Sequence, residues 1–158
     1  MPQGRGSAGE SQPIDIRVSP STPDARKSTL ALLDPADLAY RVLRARPGLT
    51  GVMHYFSLDQ EWAERFLELG FHISFAGLVT RATRDGLREV ARACPADRLL
   101  LETDSPFGQP ATRKREPQNR PAFLVDTARV VAELRGISLE ELAEIEFANA
   151  ISLFKRIR

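Results

Sequence analysis

Residues 71–104, FHISFAGLVTRATRDGLREVARACPADRLLLETD, contain one complete strand–helix–strand unit. Apolar runs of strand length lie at Phe71–Ala76 and Leu99–Thr103, and apolar residues at helical spacing run between them from about Thr83 until Pro95. The span between the two strands exceeds the roughly dozen residues that a parallel crossover requires. The stretch therefore predicts two parallel strands with a helix covering them.

The same alternation continues on both sides of this unit. A strand pattern at Gly51–Phe56 leads into a helix pattern that ends at Leu69, and another helix precedes it between Pro35 and Pro47. Farther along the chain, a long loop is followed by a helix at 122–135 and by a last helical region after a capping box. The pattern indicates an α/β fold in which helices cover a parallel sheet.

Residues 1–33 differ from the rest of the chain because they are rich in Pro, Ser, Gly and charged residues without a sustained periodicity. We expect a divergent, poorly ordered segment there, with no core residue before Leu30. The folded part is predicted to span residues 34–158.

The composition, 42% hydrophobic and 27% charged, predicts one soluble globular domain. A single cysteine, Cys94, excludes an internal disulfide and a thiolate cluster, and its apolar helical neighbours favour a buried structural residue over a nucleophile. The net charge of +1 would not concentrate a polyanion, so contact with nucleic acid requires a local basic patch. No apolar run is long enough to span a membrane, and the lack of an apolar leader predicts a cytoplasmic protein.

Two carboxylates end the last predicted strand. Side chains in a strand alternate between faces, so Glu102 and Asp104 share one face. Buried ionised groups need cations or hydrogen-bond donors, which favours a functional Asp104 and a Glu102 that orients a ligand one layer deeper. His54 lies near the end of its own strand, where parallel barrels build their active sites, although a lone histidine there is more often a core residue.

Five segments carry a resemblance to a known family: GVMHYFS from Gly51, GFHISFAG from Gly70, RLLLETDSPF from Arg98, NRPAFLV from Asn119 and NAISLF from Asn149. In order and spacing they resemble the second half of the TatD family of metal-dependent deoxyribonucleases. The resemblance implies a hydrolase that cuts the phosphodiester bonds of DNA with divalent metal ions, Mg, Mn or Zn. It also implies that the sheet is a partial parallel TIM-type (β/α) barrel made of the three to four closing strand–helix units.

The resemblance assigns roles to particular residues and also shows what is missing. It makes His54 and Asp104 metal ligands, with Asp104 as the catalytic residue. The family also has a histidine pair on its first strand, a glutamate on its fourth and a histidine on its fifth. This chain contains two histidines, His54 and His72, and we interpret His72 as structural. If residues after Ser21 match the family's fifth unit, a serine stands in the ligand position there.

The loop after the last strand is basic, with Arg113, Lys114, Arg115 and Arg120. Barrel loops at this position often bind phosphate, so these side chains could contact a DNA backbone, and a solvated loop is an equally good interpretation. The family usually has a glutamate where Arg120 stands.

A complete barrel of this type needs about 250 residues, which leaves three hypotheses for the function. The first is a truncated TatD-like deoxyribonuclease with an incomplete two-metal site. The second is a non-catalytic fragment or pseudoenzyme that acts by self-association or by docking onto a complementary half-barrel. The third is a related metal hydrolase that acts on esters or amides.

Overall fold

In the part of the chain that the structure describes, the sheet has four parallel strands, and helices cover it. The computed structural model describes residues 14–17 and 34–154. The strands and α-helices in chain order are β1 Ile14–Arg17, α1 Pro35–Arg44, β2 Gly51–His54, α2 Gln60–Glu68, β3 His72–Phe75, α3 Asp85–Ala93, β4 Leu99–Leu101, α4 Leu124–Arg135 and α5 Leu139–Leu153. The strand order is β1-β2-β3-β4 with every neighbouring pair parallel, which confirms the predicted α/β partial barrel.

Strand β1 lies within residues 1–33, and the sequence pattern did not predict a strand there. Its sequence, IDIR, alternates apolar with charged residues over only four positions and is too short to stand out locally. Pairing with β2 in the register Ile14 to Gly51 supplies the missing signal. The rest of the segment lies outside the described residues.

Side-chain caps begin three of the described helices, α1, α2 and α5. The Asp34 carboxylate accepts a hydrogen bond from the Ala36 N–H at 2.9 Å, and Pro35 occupies the first helical position of α1. Asp59 caps α2 in the same way, and the Ser138 hydroxyl accepts from the Glu141 N–H at 3.0 Å at the start of α5. These caps satisfy N–H groups that have no partner within the helix.

The core lies between the sheet and the helices. Its largest fully buried side chains include Phe66, Phe71, Phe75 and Leu99. Cys94 is buried among them, and burial raises the pKa of its thiol to about 12. A thiol with such a pKa is not a nucleophile at neutral pH, as expected for a structural cysteine. Within the described residues, no helix combines the length and apolar character needed to cross a membrane.

Side chains of α5 cap the outer edge of β4. The Glu102 N–H donates to the Phe75 carbonyl of β3, so the N–H of the preceding residue, Leu101, points to the opposite edge. That N–H donates to Glu146 Oε2 at 2.9 Å, and the Asn149 amide donates to the Leu99 carbonyl at 2.7 Å. One helix thereby satisfies two backbone groups of the edge that no neighbouring described strand pairs with.

Glu146 makes this cap sensitive to pH. Burial raises the pKa of its carboxyl to about 7, and its Oε1 atom is buried without a hydrogen-bond partner among the described residues. The folded-state pKa lies above the ordinary value of 4.5. Between pH 4.5 and about 7, Glu146 is therefore protonated in the folded state and ionised in the unfolded state. The stability contributed by this proton is present below the unfolded pKa and is lost as the pH rises through about 7.

We therefore expect Glu146→Gln to match the wild type at pH 5 and to exceed its free energy of unfolding at pH 8 by up to about 3 kcal/mol. Glutamine keeps the acceptor for the Leu101 N–H and carries no charge to desolvate. Urea unfolding at both pH values measures the difference. Glu144→Gln, an exposed position of the same helix, should show no such pH-dependent gain. Equal differences for the two variants would contradict the prediction.

Candidate metal centre

Three acidic or imidazole side chains converge at the carboxyl ends of β2 and β4. His54 is the last residue of β2, and Glu102 and Asp104 follow β4 directly. His54 Nε2 lies 3.0 Å from Glu102 Oε1 and 3.8 Å from Asp104 Oδ1. Each residue offers one ligand atom, and these atoms all lie within 4.8 Å of one another. The sequence-predicted residues His54, Glu102 and Asp104 therefore form one cluster, which we call the metal cluster.

Glu102 is held on both carboxylate oxygens. Its Oε1 accepts from the Tyr55 N–H at 2.8 Å, and its Oε2 accepts from the Ser74 hydroxyl at 2.6 Å. Burial raises the pKa of Glu102, while the Ser74 hydrogen bond and the nearby His54 act in the opposite direction. These contacts fix the carboxylate against His54, a geometry suited to the orienting role predicted for Glu102.

Sequence reasoning missed Ser74, whose hydroxyl contacts the metal cluster. It lies on β3, the strand between β2 and β4, and is 2% exposed. The available signal was a hydroxyl within the otherwise apolar run FHISFA, since a buried hydroxyl needs a partner. The partner could not be identified from the sequence because it lies 28 residues farther along the chain.

The backbone turns sharply where two of the site residues stand. Tyr55 and Asp104 have φ angles of 50° and 57°, in the left-handed region that residues with a side chain rarely adopt. The strands end at His54 and Leu101, two residues earlier than the predicted Phe56 and Thr103. Glu102 and Asp104 converge through this turn rather than through the alternation of an extended strand.

The loop that carries Asp104 is fixed by Asn119, which is 3% exposed. Its side-chain amide donates to the Thr103 carbonyl at 2.7 Å and to the Phe107 carbonyl at 2.6 Å. Its backbone N–H also donates to the Pro106 carbonyl at 2.9 Å. Hydrogen bonds from Asn119, 15 residues beyond Asp104, therefore anchor the loop that carries Asp104.

The other histidine lies away from the metal cluster. His72 is the first residue of β3, at the opposite end of the sheet from the strand ends that hold His54 and Asp104. It is 6% exposed, and burial lowers the pKa of its imidazole, which favours the neutral form. This environment agrees with a structural role for His72.

The basic loop divides into one paired and three exposed cations. Arg113 forms an ion pair with the buried Asp126 at 2.5 Å and stacks over the Phe123 ring at 4.8 Å. The hydrogen bond from Arg113 lowers the pKa of Asp126. Lys114, Arg115 and Arg120 are exposed. Phosphate binding by all four residues stays a prediction, and Arg113 is the one already held by an internal carboxylate.

The position beside His54 in the sheet belongs to Arg17. The β1–β2 register pairs Arg17 with His54, and β1 ends there. Ser21, which we placed in a ligand position, lies four residues farther along and outside the described residues. The strand register therefore places Arg17 at the end of β1, beside His54 of the metal cluster.

A family profile decides the classification of the chain. The profile for TatD related DNase matches residues 22–155. The chain belongs to the TatD family. The profile covers most of the sequence and includes His54, Glu102 and Asp104.

Individual relatives of this TatD-family chain agree with that result. The uncharacterized metal-dependent hydrolase YcfH of Escherichia coli K12 is 42% identical over 84% of this chain and 47% of its own length. The 3'-5' ssDNA/RNA exonuclease TatD of a Rahnella strain is 40% identical over 66% of this chain and 41% of its own length. The crystal structure of YJJV, a TatD homologue from Escherichia coli K12, superposes with a TM-score of 0.69 and 31% identity over 76% of this chain and 46% of that one.

The chain spans about half of the length of the relatives that it matches. The comparison of the metal cluster with each relative therefore involves only about half of that relative's sequence. The donor set fits a divalent cation, because one imidazole nitrogen and two carboxylates suit Mn²⁺ or Zn²⁺, and the carboxylates alone suit Mg²⁺. His54 and Asp104 would bind such an ion directly, and Glu102 would orient His54.

Proposed function

We propose that this TatD-family chain is a metal-dependent hydrolase that cleaves phosphodiester bonds in DNA, with Asp104 as its catalytic metal ligand. The convergence of His54, Glu102 and Asp104 at the carboxyl ends of parallel strands carries the proposal. This edge of a parallel barrel is where the strand-to-helix loops meet and where active sites form. Two of the relatives, a metal-dependent hydrolase and an exonuclease by name, support the same chemistry.

Each residue of the metal cluster has a separate task in this proposal. Asp104 supplies a carboxylate ligand, His54 supplies an imidazole nitrogen, and Glu102, held by Tyr55 and Ser74, keeps the imidazole in place. A bound divalent cation would polarise the phosphate and lower the pKa of a water molecule. The exposed cations Lys114, Arg115 and Arg120 contact the DNA backbone and position the scissile phosphate.

A second candidate function follows from the small number of ligands. The chain contains two histidines, and three residues form its metal cluster in the described ranges 14–17 and 34–154. A two-metal hydrolase needs more ligands than these to hold both ions. The alternative is a non-catalytic fragment or pseudoenzyme that acts by associating with itself or with a complementary half-barrel.

One assay separates the two candidates. We expect the purified chain to shorten an end-labelled single-stranded DNA oligonucleotide at about 5 mM Mn²⁺ or Mg²⁺. Weakly bound ions saturate their sites at about this concentration. Excess EDTA should abolish the shortening. Small ester substrates, tested in parallel, should remain intact. A folded sample that binds Mn²⁺ and leaves DNA intact would support the non-catalytic alternative.

A further inference from the structure

One large aromatic side chain is exposed beside the metal cluster. Phe107 is 69% exposed and lies three residues after Asp104. The other large exposed hydrophobic residues of the described chain lie on helices, and they are Leu38, Val42, Val125 and Phe147. Single exposed apolar residues are common on protein surfaces, so the position of Phe107 matters more than its exposure.

The backbone of Phe107 is fixed although its ring is exposed. Its N–H donates to the Asp104 carbonyl at 2.9 Å, and its carbonyl accepts from the buried Asn119 amide at 2.6 Å. The next residue, Gly108, packs so closely that an added Cβ would lie 2.9 Å from the Tyr55 ring and 3.5 Å from the Asp104 Cβ. An aromatic ring on a fixed backbone loses little conformational entropy when a flat ligand covers it.

The cationic residue Arg120 follows Asn119, which anchors the Phe107 backbone. The Asn119 side chain donates to the Phe107 carbonyl and accepts from the Arg120 N–H at 2.9 Å, so one buried residue holds both backbones. Arg120 is exposed, as are Lys114 and Arg115 in the same loop. Single-stranded nucleic acids bind where an aromatic face for the base stands beside cations for the backbone.

Resting on the function proposed above, we infer that Phe107 stacks against an unpaired base of the substrate while Arg120 contacts a neighbouring phosphate. A stacked base fixes one nucleotide beside the metal cluster. A base inside a duplex has no free face for this contact, so Phe107 makes the chain prefer single-stranded ends. Phe107 is a substrate-binding residue and takes no part in bond cleavage.

Affinities for two labelled probes test the inference, measured by fluorescence anisotropy with the full chain in EDTA. One probe is single-stranded d(A)8, and the other has the same phosphates with abasic spacers in place of the bases. Phe107→Ala should weaken binding of d(A)8 by roughly 5- to 150-fold and leave binding of the abasic probe unchanged. Phe107→Trp should retain the affinity for d(A)8.

Two further variants serve as controls. Phe147→Ala removes a ring of similar exposure, 71%, on α5 and should change neither affinity. Arg120→Ala should weaken both probes alike, because phosphate contacts do not depend on bases. Far-UV circular dichroism confirms that each variant is folded.

The outcomes separate this inference from the proposed function. Equal d(A)8 affinity for wild type and Phe107→Ala, equal losses on both probes, or a folded wild type that binds neither probe would overturn the stacking role. Base-dependent binding through Phe107 without any metal-dependent cleavage would support the stacking role and overturn the hydrolase. Cleavage with a silent Phe107→Ala would do the reverse.

Discussion

Asp104→Asn is expected to abolish metal-dependent DNA cleavage and to weaken Mn²⁺ binding at least about tenfold. Mutation of a residue that only orients a metal ligand typically weakens metal binding by about 10- to 100-fold, and loss of a direct ligand should cost no less. Asparagine has the size of aspartate but no negative charge, and an amide oxygen is a weak ligand beside a carboxylate. Asp104 is the carboxylate of the metal cluster whose side chain is the least exposed, at 11% against 15% for Glu102. Because the Asp104 side chain is nearly buried, water cannot readily take the place of the lost carboxylate.

Isothermal titration with Mn²⁺ and the oligonucleotide assay measure the two effects separately. Asp97→Asn is the matched control because it removes the same charge from an exposed aspartate before β4, where Asp97 pairs with Arg98 at 2.9 Å. We expect this control to keep wild-type Mn²⁺ affinity and cleavage. Undiminished Mn²⁺ binding by folded Asp104→Asn would show that the ion binds elsewhere.

Gly77→Ala is expected to lower the free energy of unfolding by about 3 kcal/mol or more, at the upper end of overpacking effects. Gly77 follows β3, and a Cβ there would lie 2.2 Å from the Gly108 carbonyl oxygen, 2.6 Å from the Pro110 nitrogen and 2.8 Å from the Gln109 carbonyl carbon. All three atoms belong to the backbone, so no rotamer change relieves the clash. The loop that carries Gly108 must move, and this loop lies against Tyr55 and Asp104.

Urea unfolding measures the loss, and Gly86→Ala provides the control. Gly86 lies in α3 with nothing within 4 Å of an added Cβ, so alanine should stabilise that helix by up to about 1 kcal/mol. We further expect Gly77→Ala to weaken Mn²⁺ binding, because the displaced loop borders the metal cluster. A Gly77→Ala protein within about 0.5 kcal/mol of the wild type would contradict the packing described here.

The helices were largely predictable because their signals are local. Asp34, Asp59 and Ser138 each provide an acceptor for nearby N–H groups, and these residues cap helices in the structure. The inner strands were predictable for a similar reason, since buried parallel strands are continuous apolar runs. Their bounds differ by two residues at the ends of β2 and β4 and by one residue at each end of β3.

Strand β1 and the contacts of Arg113 could not be predicted in the same way. The four residues of β1 carry two charges and form a strand because β2 offers its edge. The ion pair between Arg113 and Asp126 joins residues 13 positions apart, across a loop whose path the sequence does not define. Both features depend on a neighbour brought close by the fold.

The metal cluster shows the division between sequence and structure most clearly. The sequence by itself determined which ligand types the chain possesses and that His54, Glu102 and Asp104 lie near the ends of buried strands. Only the tertiary structure decided that these residues meet, because β3 and its Ser74 lie between the strands that carry them. The left-handed turns at Tyr55 and Asp104 then set their spacing. Residue type is a local property, whereas the distance between two ligands depends on the packing of chain segments far apart in sequence.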